Sequence, residues 1–346
     1  MMPIAHNELV CIGNTELIMI IAGIDEAGYG PLLGPLVVSA SAFGVDEPLS
    51  AAEPLALAPC LWRRLKAAVV AKGPSRDGRL VIADSKVVTH LAGGLALLEQ
   101  AVLSMLRVGG EAVSLDGLQP QALLTRLGSP VTLREHLWYA HDAAPLPRFC
   151  STEAPTLAGN LLQSVMRATQ TQLVFLASRV VAEGEYNRMV QATNNKASVL
   201  VSLTLGHLDA LVRRFAPQGL LVVIDKQGGR GHYLHLLMQA FPQAQVRVLE
   251  ESAACSGYLL TLPTGRAAVY FQEKSENHCL ATALASMVCK YLRELFMHAF
   301  NRWWQAHRPE VKPTAGYYQD ALRWLSEMQP TIASLGIDRS MLVRCR

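Results

Sequence analysis

Continuous apolar runs predict strands that are buried on both faces of a sheet. Residues 17–25 (LIMIIAGID) are rich in β-branched side chains and end on an acid, and residues 220–225 (LLVVID) follow the same pattern. Residues 33–43 predict another strand, and the tight glycine-containing turn before it favours an antiparallel hairpin with the first strand. Further short strands are predicted over residues 80–83, 173–181, 246–249 and 267–271.

Apolar residues at helical spacing predict helices between these strands. The strongest pattern covers residues 196–215, whose basic end at Arg213 and Arg214 suits the negative end of a helix dipole. Other helices are predicted over residues 61–71, 91–106, 232–241, 278–304 and 317–328. Strands mixed with helices predict an α/β sheet with helices on its faces.

Two stretches lack either pattern and predict loops: residues 46–59, and the proline-punctuated residues 109–155. Of the 346 residues, 51% are hydrophobic and 17% are charged, which excludes a largely disordered chain. Lys and Arg exceed Asp and Glu by three. Such a weak positive charge permits a nucleic-acid partner but does not by itself indicate one.

The cysteines and the first residues bear on the cellular compartment. Seven cysteines, an odd number without CxxC spacing, suggest neither a zinc site nor a disulfide framework. Scattered thiols of this kind are typical of a reducing cytoplasm. The apolar run before Asp25 is too short to span a membrane, and no basic leader precedes it. We therefore expect a soluble cytoplasmic protein with no membrane partner.

Acidic residues stand at the ends of two of the predicted buried strands: Asp25 and Glu26 on the first, and Asp225 on the later one. Clustered carboxylates repel one another and usually need divalent cations to neutralise them. Each acid alone, however, is more often part of a solvated turn or a helix cap. Spacing by itself does not bring these distant acids together.

Residues 23–35 (GIDEAGYGPLLGP) resemble the motif G-[IV]-D-E-A-G-R-G-P-x-x-G-P of type 2 ribonuclease H, the ribonuclease HII class, with Tyr29 in place of Arg. Later segments are similar to the family in the same order. They are Asp84-Ser85-Lys86, residues 222–225 (VVID), residues 285–294 (ASMVCKYLRE) and Gly316-Tyr317. The resemblance covers about residues 20–45, 80–106, 171–226 and 274–345.

The resemblance implies a ribonuclease H-like fold, with a mixed central sheet and helices on both faces. We expect one domain over residues 1–346, with insertions near residues 46–79, 107–170 and 230–273. Long insertions in surface loops cost little stability, so the core can accommodate them.

The implied activity is a metal-dependent endonuclease that cuts the RNA strand of RNA–DNA hybrids, or DNA duplexes containing ribonucleotides, and leaves 5′-phosphate and 3′-hydroxyl ends. The family's four carboxylates map onto Asp25, Glu26, Asp225 and Glu294. They imply two Mg²⁺ or Mn²⁺ ions, with Asp25 as the bridging ligand. The family has Asp where this chain has Glu294, and the alternative role for Glu294 is a surface pair with Lys290.

The resemblance also implies contacts to nucleic acid. The turn at Gly28, Tyr29 and Gly30 would face the ribonucleotide 2′-hydroxyl, the group by which a protein distinguishes RNA from DNA. Ser85 and Lys86 would contact backbone phosphates. Tyr317 would pack beside a sugar, although Tyr318 competes for that role. Residues that could extend a basic groove are Lys196, Lys226 and Arg230. Glu276 is predicted to cap the last long helix.

Two alternatives stay open on the same residues. The chain could be a nucleic-acid-binding protein that has lost catalysis. The substitutions at Tyr29 and Glu294 and the insertions between the segments that resemble the family favour this alternative. It could also be another metal-dependent nuclease or strand-transfer enzyme of the ribonuclease H-like superfamily, which the motif at 23–30 disfavours. In each case we expect a monomer.

Overall fold

The computed structural model describes residues 19–73, 77–109, 115, 117–129, 133–140, 142–227 and 230–345. Residues 17 and 18 of the first predicted strand lie outside this part of the chain. The strands are β1 (Met19–Ala27), β2 (Leu36–Val45), β3 (Val69–Val70), β4 (Leu80–Val81), β5 (Gln172–Val181), β6 (Leu220–Asp225), β7 (Gln245–Glu251), β8 (Cys255–Leu262) and β9 (Gly265–Gln272). The α-helices are α1 (Leu61–Arg64), α2 (Ser85–His90), α3 (Gly94–Val108), α4 (Pro120–Arg126), α5 (Leu137–Ala140), α6 (Ala154–Ala168), α7 (Glu183–Thr193), α8 (Lys196–Phe215), α9 (Leu234–Ala240), α10 (Leu280–His307), α11 (Tyr318–Ser334) and α12 (Arg339–Leu342).

A seven-stranded mixed sheet in the order β5-β2-β1-β6-β9-β8-β7 forms the centre of the fold. The predicted hairpin is confirmed, since β1 pairs antiparallel with β2 from Met19↔Val45 to Ala27↔Val37. Strands β1, β6 and β9 are mutually parallel neighbours. Their carboxyl ends therefore meet at one edge of the sheet, and this edge positions the candidate site.

Helices cover both faces of the sheet, as the sequence predicts. Alternate side chains of β1 enter two different cores, Ile21 the one beneath α10 and α3, and Ile20 the one beneath α8. Helix α10 lies directly on β1, because a Cβ at Gly23 would approach the Thr282 nitrogen to 2.0 Å. The Thr282 hydroxyl also donates to the Val223 carbonyl at 2.9 Å. These contacts fix α10 over the strand ends. None of the described helices is long and apolar enough to cross a membrane.

Several predicted elements differ from the structure. The helix predicted over 61–71 ends at Arg64, and the chain then forms β3, which pairs with β4 in a separate two-stranded sheet. Helices α4 and α5 lie within the stretch predicted to form loops, and α6 begins at its end, with Pro155 in the first turn, where proline is tolerated. The sequence also gave no indication of β8, which pairs antiparallel with β9.

The segment between α3 and β5 is tied to the core by a buried carboxylate. Glu99, fully buried in α3, accepts hydrogen bonds from the backbone N–H groups of Arg148, Phe149 and Cys150. It also accepts one from the Tyr291 hydroxyl of α10 at 2.9 Å. These bonds satisfy the buried charge, and the inserted segment is thereby held against α10.

Candidate active site

The predicted acids of the first and later strands meet at the carboxyl edge of the sheet. The parallel register pairs Ile24 with Ile224, so the next residues, Asp25 and Asp225, lie at the same level near the carboxyl ends of neighbouring strands. Asp225 in turn pairs with Gln272 on β9, and the chain beyond β9 passes beneath it. There the Ser275 N–H and hydroxyl donate to Asp225 Oδ1 at 3.2 and 3.3 Å.

A further acid reaches the same place from the short 3₁₀ turn Ser275–Asn277. The side chain of Glu276 is only 9% exposed, and its Oε2 is buried with no hydrogen-bond partner among the described residues. After burial, the charge on Asp225 raises the pKa of Glu276, and the charge on Glu276 adds to the raised pKa of Glu26. The expectation that it caps α10 is wrong, because the residue at that cap is Cys279. We call Asp25, Glu26, Asp225 and Glu276 the acid cluster.

Burial and mutual repulsion shift the pKa values of the acid cluster upward. Burial raises the pKa of Asp25 well above its ordinary value, and the charge on Glu26 raises it further. Burial, followed by the charge on Asp225, raises the pKa of Glu26 to about 7. The pKa of Asp225 and that of Glu276 are also raised, chiefly by burial. The fold thus holds together four carboxyl groups that disfavour being charged side by side.

The structure places Glu294 elsewhere. Its Oε1 lies 2.5 Å from the Lys290 ammonium, the i,i+4 pair that was the alternative role for this residue. Ser275, which directly precedes Glu276, donates to Asp225, whereas Glu294 pairs with Lys290. We therefore favour Glu276 over Glu294 as the fourth acid of the site. No pattern in the sequence distinguishes Glu276, which lies five residues beyond the strand predicted over residues 267–271.

The Asp-Ser-Lys segment lies against the acid cluster at the start of α2. The Ser85 side chain is buried, and its hydroxyl hydrogen-bonds the Ser286 hydroxyl at 2.9 Å, so Ser85 supports the residue that bonds Asp25. Lys86 is exposed, and its positive charge partly offsets the rise that burial causes in the pKa values of Glu26, Asp225 and Glu276. Lys226 points instead towards the β7–β8 connection, where its ammonium donates to the Ala253 carbonyl.

The β1–β2 turn (residues 28–35) leads away from the acid cluster and depends on glycine. Gly28 has φ +87°, and a Cβ there would lie 2.4 Å from the Pro35 carbonyl oxygen. A Cβ at Gly34, with φ +84°, would lie 2.4 Å from Met297 Sδ. Gly30, by contrast, is exposed and faces open space. One side of the turn is therefore packed against the protein, and the other is open to a ligand.

Two buried arginines hold the carbonyls of this turn. Arg293, 1% exposed, donates to the carbonyls of Leu33 and Pro35 at 3.1 and 2.9 Å. Arg344, 3% exposed, donates to the carbonyl of Gly28 and, at 2.9 Å, to that of Tyr29. Sequence reasoning missed both roles, because carbonyl recognition leaves no pattern in the residues of the turn.

Two tyrosines flank the open side of the turn. The Tyr29 ring is half-buried, and the Lys196 ammonium lies 4.6 Å from its centroid. Tyr317 directly precedes α11 and is 54% exposed. Its neighbour Gly316 accepts hydrogen bonds from the backbone N–H groups of the turn at 2.9 and 3.2 Å. Exposed aromatic and backbone groups thus lie beside the acid cluster.

The segment between α3 and β5 also supports the β1–β2 turn, through a buried glutamate on the side of the turn that is packed against the protein. Glu183, fully buried at the start of α7, accepts hydrogen bonds from the Gly34 N–H at 2.9 Å and from the Tyr139 hydroxyl at 2.8 Å. His136 is buried beside them and accepts from the Gly184 N–H at 3.4 Å. Burial lowers the pKa of His136 to about 4 from its ordinary 6.5, so the ring is neutral near pH 7.

This histidine predicts a specific pH dependence of stability. Between pH 6.5 and pH 4 the unfolded chain binds a proton at His136 that the folded protein excludes, so stability falls as the pH falls. We expect wild type to lose about 2 kcal/mol more than His136→Gln between pH 7 and pH 5. Urea unfolding at both pH values measures this difference. His307→Gln, which changes an exposed histidine, is the matched control and should track wild type. Parallel curves for wild type and His136→Gln would contradict the prediction.

Comparison with known proteins gives similarities in fold. No family model and no curated protein matches the chain. Ribonuclease HII of Archaeoglobus fulgidus, solved in a complex with PCNA, aligns at 13% identity over 94% of each chain, with a TM-score of 0.38. Ribonuclease H2 of Pyrococcus horikoshii OT3 aligns at 13% identity over 94% of this chain and 92% of that one, with a TM-score of 0.45. Bst-RNase HIII with Mn²⁺ aligns at 13% identity over 94% and 66%, with a TM-score of 0.40. The chain is similar to these ribonucleases H.

Proposed function

We propose that this chain is a metal-dependent endonuclease that cuts the RNA strand of RNA–DNA hybrids. The observation that carries the proposal is the acid cluster, which gathers two buried carboxyl groups, Asp25 and Glu276, and two half-buried ones, Glu26 and Asp225, beside an open glycine turn. The motif at residues 23–35, which resembles type 2 ribonuclease H, contains the first two of these acids and the whole turn. The expected single domain with three insertions is part of the same proposal.

The donor set of the acid cluster fits a hard divalent cation. Its ligands would be carboxylate oxygens, which suit Mg²⁺ and Mn²⁺ rather than zinc. The raised pKa of Glu26 and the unpartnered Oε2 of Glu276 are both relieved by a nearby cation. Among the described residues, no three Asp, Glu, His or Cys side chains already form a metal-binding group. We therefore propose that Asp25, Glu26, Asp225 and Glu276 hold two ions once small side-chain rotations bring them together. Such ions, when bound, would supply an activated water and charge stabilisation at the leaving oxygen.

The remaining residues of the site position the nucleic acid. Lys86 offsets the negative charge of the acid cluster, so that a strand can approach it. The open backbone at Gly30 lets the sugar edge of a strand come close, as a test of the 2′-hydroxyl requires. The exposed ring of Tyr317 can stack against a sugar or a base on the same side.

A direct assay tests the proposal. The purified chain is offered four end-labelled duplexes, an RNA–DNA hybrid, a DNA duplex with one ribonucleotide, plain DNA and plain RNA, each with Mg²⁺, with Mn²⁺ or with EDTA. We expect the hybrid to be cut with either metal, to leave 5′-phosphate and 3′-hydroxyl ends, and to survive in EDTA.

Other outcomes of this assay would support a different function for the chain. Tight binding of the hybrid without cleavage in either metal supports a binding protein that has lost catalysis. Equal cleavage of plain DNA favours another nuclease of the ribonuclease H-like superfamily. Cleavage that persists in EDTA excludes the proposed metal requirement.

The two candidate fourth acids give a sharper prediction. We expect Glu276→Gln to lower hybrid cleavage at least about a hundredfold, because it removes a ligand charge from the acid cluster. Glu294→Gln removes only the i,i+4 pair with Lys290, which is worth about 0.3–0.5 kcal/mol, and should leave the rate within about threefold of wild type. Rates measured at saturating Mn²⁺ compare the pair. If Glu294→Gln lowers the rate more than Glu276→Gln does, Glu294 rather than Glu276 is the fourth metal ligand.

A further inference from the structure

A cavity of about 790 Å³ lies between α10 and the segment that joins α3 to β5. We call it the α4–α10 cavity. The described residues that line it include none of the acid cluster and none of the β1–β2 turn, so it is separate from the candidate active site. Its volume is within the range of about 300–1,000 Å³ that is typical of sites for small ligands.

The walls of the α4–α10 cavity are mainly apolar. Helix α4 contributes Leu123 and Leu124. Helix α10 contributes Leu292, Leu295 and Phe296. The polar residues of the lining are Gln119, Gln121, Arg134 and Asp142. Small-molecule sites usually have this composition, because apolar walls supply most of the affinity and a few polar groups fix the orientation of the ligand.

The charges at the cavity favour an anionic ligand. Asp142 is already neutralised, since its two carboxylate oxygens lie 2.6 Å from the Arg148 guanidinium and 2.8 Å from that of Arg302. Arg134 is exposed and makes no ion pair within the part of the chain that the structure describes. A guanidinium offers a planar fork of donors that suits a carboxylate or another oxyanion. The chemistry of the lining therefore fits an apolar molecule that carries one such group.

Tyr139 connects the cavity with the β1–β2 turn. Its side chain lines the cavity and packs on Phe296, with the ring centroids 4.8 Å apart. The Tyr139 hydroxyl donates to Glu183 Oε1 at 2.8 Å, and the same oxygen accepts from the Gly34 N–H at 2.9 Å. A ligand against the Tyr139 ring favours the arrangement that makes these bonds, and the turn is then held more firmly.

We infer that the α4–α10 cavity binds a small apolar molecule with an anionic group, and that this ligand strengthens the binding of nucleic acid at the β1–β2 turn. The first part depends on the cavity alone, whereas the second part rests on the proposed function. Coupling between two sites commonly changes affinity about 5–150-fold. We therefore expect the ligand to tighten hybrid binding at least about fivefold, and the hybrid to tighten ligand binding by the same factor.

Fluorescence titrations with 8-anilinonaphthalene-1-sulfonate (ANS) test the cavity, because this probe is an apolar aromatic molecule with one sulfonate. We expect saturable binding at one site per chain, with a Kd of roughly 10–100 μM. Ala143→Trp adds a large side chain at an exposed residue of the lining and should weaken ANS binding at least about tenfold. Ala168→Trp changes an exposed alanine at the end of α6, outside that lining, and is the matched control.

Further titrations test the expected charge of the ligand. Arg134→Met should weaken ANS binding about fivefold, whereas Arg126→Met, which changes an exposed arginine of α4 outside the lining, should leave it unchanged. N-phenyl-1-naphthylamine lacks the sulfonate and should bind wild type and Arg134→Met equally. Cooperative unfolding at an unchanged melting temperature excludes a loosened protein, which would also bind ANS.

Anisotropy titrations of a labelled RNA–DNA hybrid in EDTA, with and without saturating ANS, measure the coupling. Tyr139→Phe keeps the ring in the cavity but removes the hydroxyl that donates to Glu183. This variant should bind ANS like wild type and should gain no affinity for the hybrid from it.

The remaining outcomes separate the two parts of the inference from the proposed function. Lack of saturable ANS binding, or equal binding by Ala143→Trp and wild type, overturns the ligand site, and the proposed function stands if the hybrid is still cut. Equal ANS binding by Arg134→Met and wild type overturns the anionic class of ligand. ANS binding that leaves hybrid affinity unchanged overturns the link to the turn. A chain that binds ANS as expected but neither binds nor cuts the hybrid supports the ligand site and overturns the proposed function.

Discussion

Asp25→Asn is expected to reduce hybrid cleavage at least about a thousandfold and, at the same time, to make the metal-free protein more stable. The loss follows because Asp25 is one of the proposed metal ligands and the amide of asparagine removes its charge. The gain follows because burial and the charges on Glu26 and Asp225 raise the pKa of Asp25. A neutral amide carries none of that penalty.

The gain in stability has a definite pH window. Below the ordinary carboxyl pKa, Asp25 is protonated in the folded and the unfolded chain, and the substitution changes little. As the pH rises, the unfolded chain releases this proton first, so wild type loses stability relative to Asp25→Asn. Each unit by which the pKa is raised corresponds to about 1.4 kcal/mol, so we expect a gain above about 1 kcal/mol at pH 8.

Urea unfolding in EDTA at pH 5 and pH 8, together with cleavage rates in Mn²⁺, measures both halves of this prediction. Asp209→Asn is the matched control, because it removes a carboxylate that pairs with Arg213 near the far end of α8. A destabilised but active Asp25→Asn protein would remove Asp25 from the proposed site. Added Mn²⁺ should stabilise wild type more than the variant, since binding to the folded state adds to stability.

Arg344→Met is expected to loosen the β1–β2 turn without touching an acid. The buried guanidinium donates to the carbonyls of Gly28 and Tyr29, and its loss leaves these acceptors without that partner. Buried polar groups left unsatisfied cost about 1–3 kcal/mol each, so we expect a loss of about 2–4 kcal/mol in unfolding free energy. We also expect at least tenfold weaker hybrid binding, because the turn no longer presents a fixed surface.

Urea unfolding and anisotropy titrations test the role of Arg344. Arg344→Lys should recover little, since a lysine cannot bridge several carbonyls in the fixed geometry of a guanidinium. Arg339→Met changes an exposed arginine five residues earlier and should leave both measurements near wild type. Normal binding of the hybrid by Arg344→Met would contradict this prediction, and Arg293 would then be sufficient to hold the turn.

The sequence predicts correctly those helices and strands whose bounds depend on one local pattern. The fully apolar β6 and the amphipathic α8 begin and end where predicted, because burial on both faces and an Asn195 cap leave few alternatives. The α/β architecture with helices on both faces is confirmed for the same reason. The sequence pattern does not predict α6, which begins where the proline-punctuated stretch ends, because proline in a first turn does not interrupt a helix.

The same distinction applies to the candidate site, where local sequence patterns reveal some residues and only tertiary contacts place the others. Acids that end strongly apolar strands, Asp25 and Asp225, could be found from the sequence. Glu276 could not, because a three-residue 3₁₀ turn has no periodicity and its burial depends on β6 and β9 being neighbours. Arg344 acts on the β1–β2 turn through tertiary contacts alone, so no spacing in the sequence points to it.

The bond from Arg344 to the Gly28 carbonyl joins residues 316 positions apart. A ribosome would have released β1 and the residues of the turn long before Arg344 emerged, and domains begin to fold from the residues made first. The turn of a nascent chain therefore lacks this clamp until synthesis reaches α12. The proposed nucleic-acid surface therefore gains this support only when nearly all of the described chain has been made.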